Sequence, residues 1–243
     1  MIQEPISPIE PPAAEKNNVP WNVADVFKAL GLLLLLNLAL GFGLVLFMFV
    51  ISKSRELTTN ESIFTSLATV AITLSLVWYF TIRKHRANLR QLGIRKTNVL
   101  ILLLIVPLTE IGVLAVENIY ASLLYVLTKQ TAPEQPIVKS FGHSAAGVIL
   151  AFAVIVILAP GSEELFFRGF VYTALRKKIG VGWAMVLSAL IFAVFHLSPL
   201  LMIPIFILAI ALAWLYESRK SLLAPFMLHA LNNLIALIYL YKK

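Results

Sequence analysis

The chain has 243 residues, of which 60% are hydrophobic and 13% charged, and it carries a formal net charge of +8 and no cysteine. A soluble domain has about 45–50% apolar and about 25% charged residues, so the composition indicates a multi-pass membrane protein instead. The lack of cysteine excludes disulfide and thiolate chemistry, and the excess of Lys and Arg is typical of cytoplasmic loops, with no nucleic-acid partner expected.

The N-terminal stretch MIQEPISPIEPPAAEKNNVP is rich in proline and has no apolar periodicity. Such a composition cannot bury enough apolar surface to fold, so residues 1–21 are predicted to be a disordered tail. The stretch also lacks the basic start and apolar core of a cleavable signal peptide.

Seven apolar segments follow the tail, and each is close to or longer than the roughly 20 residues that cross a bilayer as a helix. The fourth is too long for a simple crossing and contains Pro160-Gly161, which predicts one long helix bent at that point. Ser198-Pro199 predicts a tight reversal between the fifth and sixth segments. The predicted fold class is therefore all-α, a polytopic transmembrane helix bundle of about seven spans with a membrane-embedded polar cavity. The segments are 29–51, 62–82, 98–124, 144–175, 182–198, 199–216 and 221–240.

The basic residues predict the orientation of the spans. With the N-terminus inside, fourteen of the 20 lysines and arginines fall in segments predicted to be cytoplasmic. The loop RKHRANLRQLGIRK is the strongest marker, and we interpret it as a topogenic and lipid-headgroup contact. The N-terminus is thus expected in the cytoplasm and the C-terminus outside.

Four polar clusters interrupt the apolar segments. An ionisable group in hydrocarbon costs at least ~2.5–3.5 kcal/mol, so such groups are expected to be paired or functional. The clusters are Glu163, Glu164 and Arg168; His196; His229 with Asn232 and Asn233; and Glu110 with Glu117.

The first three clusters are predicted to lie at similar depths. At 1.5 Å per residue, Glu163 and His196 lie about 20 Å from the inner ends of their helices. His229 and Asn233 lie about 12 and about 18 Å from theirs. One pocket inside the membrane can therefore collect all four side chains.

Spacing assigns these residues to helix faces. Glu164 and Arg168 stand at i,i+4, the arrangement of a helical ion pair. Glu163 is rotated about 100° from Glu164, so the two carboxylates are not expected to share a task. One of them can pair with Arg168 while the other faces a cavity. His229 and Asn233 are also at i,i+4 and share a face.

Structural alternatives exist for each cluster. Ser162 with the two acids after it resembles a helix start with a serine N-cap. His196 alone can be a hydrogen-bonded structural histidine, and His229 with Asn233 can form hydrogen bonds that hold neighbouring helices together. For Glu110 and Glu117, seven residues apart on one face, we favour a structural pairing with buried Arg or His over a catalytic role.

Three motifs together resemble a known family. EELFFRGF matches the EExxxR motif of the type II CAAX prenyl proteases and their bacterial relatives, the CPBP or ABI intramembrane proteases. FAVFH, from Phe192 to His196, matches the FxxxH motif of that family, and HALNN, from His229 to Asn233, matches its HxxxN motif. The resemblance covers about the last hundred residues.

The resemblance implies a helical intramembrane endopeptidase with four catalytic residues. Those matching Glu163 and His196 activate the attacking water, and those matching His229 and Asn233 stabilise the oxyanion. Glu164 and Arg168 look like supporting residues. Residues 22–135 would then be N-terminal transmembrane helices and residues 136–243 the catalytic core. Family members typically have eight spans, so a terminal eighth span is expected to be missing here.

The expected substrate is a membrane-associated protein or peptide, with CAAX-type prenylated proteins among the candidates, and the expected location is a bacterial plasma membrane. Besides substrate and lipid bilayer no partner is predicted, and the oligomeric state is open. No cofactor is expected, because HExxH is absent, although Glu163, His196 and His229 could hold zinc. The alternative function is a non-enzymatic immunity or scaffold protein that binds peptides in the same pocket. A transporter is less favoured, because only one broken helix is found.

Overall fold

The computed structural model describes residues 19–52, 58–131 and 141–242, and within these ranges the chain is helical with no strand. The all-α prediction is therefore confirmed. A short 3-10 turn, Pro199–Leu201, makes the predicted reversal between the fifth and sixth helices. The seven long helices are α1 (Val23–Phe47), α2 (Thr59–Val77), α3 (Val99–Thr128), α4 (Ala145–Ile179), α5 (Val181–Phe195), α6 (Met202–Arg219) and α7 (Leu223–Tyr241).

Six of these helices are long and apolar enough to cross a membrane, whereas α5, with 15 residues, is shorter than a full crossing. Outward-facing side chains are apolar, as Phe42, Phe49 and Leu100 illustrate with 72%, 82% and 77% exposure. Lipid tails cover such apolar faces without the free-energy cost of exposing them to water, so the chain is an integral membrane protein.

Helix α4 continues through Pro160 without ending. Two π-helical turns, Phe152–Leu158 and Leu165–Tyr172, flank its central α-helical segment. The first wide turn ends just before Pro160, where a regular turn would place the proline ring against the carbonyl four residues earlier. Ser162 is consequently inside a helix and donates its hydroxyl to the carbonyl of Ala159. The alternative of a helix start at Ser162 is therefore wrong.

The chain segments that were predicted to be cytoplasmic lie at one end of the bundle. Lys177 donates to the carbonyl of Val19, and the Trp21 indole donates to the carbonyl of Phe170 and to Thr173. Residues 1–18 of the predicted tail lie outside the described residues. Val19 and Trp21 are buried, however, so the predicted disordered segment, residues 1–21, extended too far. Trp21 packs well into the core because its indole N–H is hydrogen-bonded there.

The basic loop between α2 and α3 is docked into the bundle. Leu92 is buried against Gly169 of α4, where an added Cβ would come within 2.8 Å of the Leu92 carbonyl oxygen. Gly93 has φ +93° and accepts a hydrogen bond from the amide of Leu222. An added Cβ at Gly93 would also meet the Tyr216 ring at 2.6 Å, so both the backbone and the packing require glycine there.

Candidate active site

An ion pair between two residues of α4 lies at the buried bottom of the site. Arg168 Nη1 donates to Glu164 Oε1 at 2.9 Å, and both side chains are 1% exposed. Arg168 Nη2 donates to the Ala209 carbonyl of α6 at 3.1 Å, and the guanidinium lies 4.5 Å from the centre of the Phe192 ring of α5. The pair predicted from the i,i+4 spacing is present, and Arg168 additionally ties α4 to two neighbouring helices.

His229 of α7 lies between the two adjacent carboxylates. Its Nδ1 lies 2.9 Å from Glu164 Oε1, and its Nε2 lies 3.7 Å from Glu163 Oε2. A carboxylate accepts hydrogen bonds, so Nδ1 carries the proton toward Glu164. The expectation that the two glutamates have separate tasks stays a prediction, although both contact the same imidazole. They occupy different faces of α4, but an imidazole has two nitrogens and so reaches both.

Glu163 is the more accessible of the two acids. Its side chain is 30% exposed, in contrast to the fully buried Glu164. Glu164 therefore makes the predicted pair with Arg168, whereas Glu163, which was expected to face a cavity, is not among the described residues that line one. Among the described residues Glu163 lies within 3.7 Å of His229, and no hydrogen bond or ion pair joins it to His196.

His196 occupies the C-cap of α5, and its Nδ1 lies 2.8 Å from the carbonyl oxygen of Phe192. A carbonyl only accepts, so Nδ1 carries a proton and a neutral imidazole has its lone pair at Nε2. The Phe192 ring lies 4.6 Å from the His196 ring and 5.8 Å from the His229 ring, measured between centroids. Phe192 thus fixes the separation between the two histidines.

The asparagines of α7 point in two directions. Asn233 Nδ2 donates to the Ile155 carbonyl in the first π-turn of α4 at 2.8 Å, which leaves its second N–H available.

Asn232 Nδ2 donates to Glu110 Oε1 of α3 at 3.1 Å. Glu110 is 2% exposed and its Oε2 has no hydrogen-bond partner among the described residues. The predicted pairing of Glu110 with Arg or His is therefore wrong, because the neutral amide of Asn232 takes that place.

A cavity of about 380 Å³ adjoins these residues. Its polar lining combines the motif residues with side chains of α3, and the remaining wall is mostly apolar. Glu163 is not among the described lining residues and reaches the cavity only through His229. The polar lining residues are Glu117, Asn118, Tyr120, His196, His229, Asn232, Asn233 and Tyr239.

The side chains of the described residues are not grouped as a metal site. Within the described ranges no group of three or more His, Asp, Glu or Cys is placed to hold a metal ion. His229 directs both ring nitrogens at carboxylates, and His196 has one nitrogen on a backbone carbonyl. The set Glu163, His196 and His229 therefore does not fit zinc.

Apolar membrane-spanning helices around a Glu–His–Glu–Arg array, of which only Glu163 is partly exposed, define an integral membrane protein with a polar site inside the bundle. Residues 145–235 match the family model described as Type II CAAX prenyl endopeptidase Rce1-like. This segment contains every residue of the three motifs, so the match bears out the resemblance to that family. It supports CAAX-type intramembrane endopeptidase activity in general. Searches of curated proteins and of solved structures gave no match.

Proposed function

We propose that the chain hydrolyses peptide bonds of membrane-associated proteins with a water activated by Glu163 and His196. The observation that supports this best is the cavity itself, because His196, His229 and Asn233 line it together and Glu163 contacts His229 beside it. Peptide hydrolysis requires a base, a proton route and an oxyanion partner, and these residue types supply all three.

His196 is set up to accept a proton. Its Nδ1–H is engaged by the Phe192 carbonyl, so the basic Nε2 is the nitrogen left for the attacking water. Packing against the Phe192 ring holds the imidazole plane, so little reorientation is needed before the reaction.

Glu164 and Arg168 act through His229 rather than on the substrate. The Glu164 carboxylate fixes the His229 ring through Nδ1, and Arg168 holds that carboxylate in place. His229 Nε2 consequently faces Glu163, and His229 itself lines the cavity in which we propose that the substrate carbonyl binds. This is a carboxylate–histidine arrangement, in which the acid sets the orientation and protonation of the ring.

The proposed reaction is balanced without a metal. The oxygen of the activated water attacks the carbonyl carbon, and its proton moves to Glu163 or His196. The resulting oxyanion accepts hydrogen bonds from the free Asn233 N–H and from His229 Nε2 when that nitrogen is protonated. The C–N bond then breaks, and the stored proton passes to the leaving amine.

The substrate class can be tested in cells. Membrane-associated proteins from cells with the wild-type chain and from cells with Glu163→Ala are compared by C-terminal proteomics. We expect a set of new C-termini in the wild type only, and prenylated CaaX proteins are the first class to inspect. Identical sets of C-termini would contradict the proposed activity and favour the non-enzymatic alternative.

A further inference from the structure

Glu117 is a carboxylate in the cavity that the proposed mechanism does not use. It is partly buried, it lines the same cavity as His196 and His229, and it comes from α3, outside the segment 145–235 that matches the family model. None of the EExxxR, FxxxH and HxxxN motifs includes it.

Among the described residues, no Lys or Arg lies in the cavity as a counter-ion for this carboxylate. Glu117 forms no hydrogen bond or ion pair with any described residue, and the described lining contains no Lys or Arg. Arg168 is engaged by Glu164 and the Ala209 carbonyl instead. The acid on the same face of α3, Glu110, stands seven residues away and carries the same sign of charge.

The surroundings increase the preference of Glu117 for a positive partner. Most of the wall is apolar, with side chains such as Leu201, Ile205, Leu208 and Leu237. A carboxylate with few competing water molecules interacts more strongly with a cation than an exposed one does. The adjacent polar groups, Asn118 and Tyr120, carry no positive charge, and their hydrogen bonds within the described residues go to the carbonyls of Leu114 and Leu200.

We propose that Glu117 is a specificity residue that binds a basic side chain of the peptide substrate near the scissile bond. This inference rests on the proposed function, because it assigns a substrate class to the same cavity. An Arg or Lys side chain of the bound peptide would supply the missing counter-ion and fix the register of the peptide against the catalytic residues. Glu117 therefore selects among substrates without taking part in the proton transfers.

The test uses the full chain in lipid vesicles and a library of fluorogenic peptides. Each position flanking the scissile bond is varied between lysine and norleucine, which differ in charge but have similar length. We expect the wild type to prefer lysine at one position by about tenfold in kcat/KM. Glu117→Gln should reduce that preference to less than about twofold while the norleucine peptide is cleaved at nearly the wild-type rate.

Three control variants complete the experiment. Glu117→Asp keeps the charge and should retain most of the preference for lysine. Glu117→Lys should reverse the preference in favour of an acidic residue at the same position. Glu61→Gln removes one charge at the start of α2 but keeps the hydrogen bond to the Thr58 amide, so it should behave like the wild type.

The outcomes separate the two proposals. A wild type without a preference for lysine, or a Glu117→Gln variant that keeps it, would overturn the role of Glu117 and leave the proposed protease activity intact. If the wild type cleaves no peptide, or Glu163→Gln cleaves as well as the wild type, the proposed function fails and the inference fails with it.

Discussion

Arg168→Met should strongly destabilise the protein. The side chain is 1% exposed and makes hydrogen bonds to Glu164 Oε1 and the Ala209 carbonyl, in addition to its contact with the Phe192 ring. Methionine fills much of the volume but leaves Glu164 as a buried charge with His229 as its remaining partner. Breaking a buried pair in this way costs about 3–5 kcal/mol. For a chain of this size the melting temperature should fall by roughly 6–20 °C.

The measurement is thermal unfolding of the purified protein in detergent, with two variants for comparison. Arg176→Met breaks the Arg176–Glu217 ion pair, whose side chains are 27% and 16% exposed, and should cost less than ~1 kcal/mol. The double variant Glu164→Gln/Arg168→Met removes both charges and should be more stable than Arg168→Met alone. The charged state of the buried Glu164–Arg168 pair would be refuted by either of two results. One is an Arg168→Met protein with the melting temperature of the wild type, and the other is a double variant that is less stable than Arg168→Met.

Three further experiments test the docked loop, the Asn232–Glu110 contact and the need for metal. Gly93→Ala should cost about 1–3 kcal/mol in the same unfolding assay, because a positive φ and the Tyr216 ring both oppose a side chain, and an unchanged melting temperature would contradict the docked loop. Asn232→Ala should cost about 1–3 kcal/mol by removing the donor to buried Glu110, and Asn232→Asp should be worse because it sets two acids together. Activity should survive exhaustive dialysis against a strong chelator, and His196→Ala should lose activity without losing any bound metal by elemental analysis. Stoichiometric zinc in the wild type that disappears in His196→Ala, with the activity of the dialysed wild type restored by added zinc, would instead place the chain in the metalloprotease class.

The fold was predictable from the sequence because apolar length alone marks a membrane helix. The long helix through Pro160 and the reversal at Pro199 followed from the chemistry of proline. The two π-turns of α4 and the short α5 did not follow, since both depend on how the helices pack. The burial of Trp21 was missed as well, because its partners at Phe170 and Thr173 are about 150 residues away in the chain.

The site was predictable where residues are close in sequence and less so where helices meet. The Glu164–Arg168 pair follows from i,i+4 spacing. The contact of His229 with both glutamates joins α7 to α4, and the bond between Asn232 and Glu110 joins α7 to α3. Periodicity fixes the face of each helix but not the rotation of one helix against another. Similar depth nevertheless predicted a common pocket, because a helix has a fixed rise per residue, and His196, His229 and Asn233 line one cavity.

The most direct test of the proposed chemistry is Glu163→Gln in the purified protein reconstituted into lipid vesicles. Glutamine keeps the shape of the side chain but cannot accept a proton from water. The proposed mechanism predicts that peptide cleavage falls by at least about a hundredfold, as the loss of a general base requires. The melting temperature should stay near that of the wild type, because Glu163 is partly exposed and the Glu164–Arg168 pair is untouched. Turnover of Glu163→Gln at a rate similar to that of the wild type would contradict the assignment of Glu163 as the base.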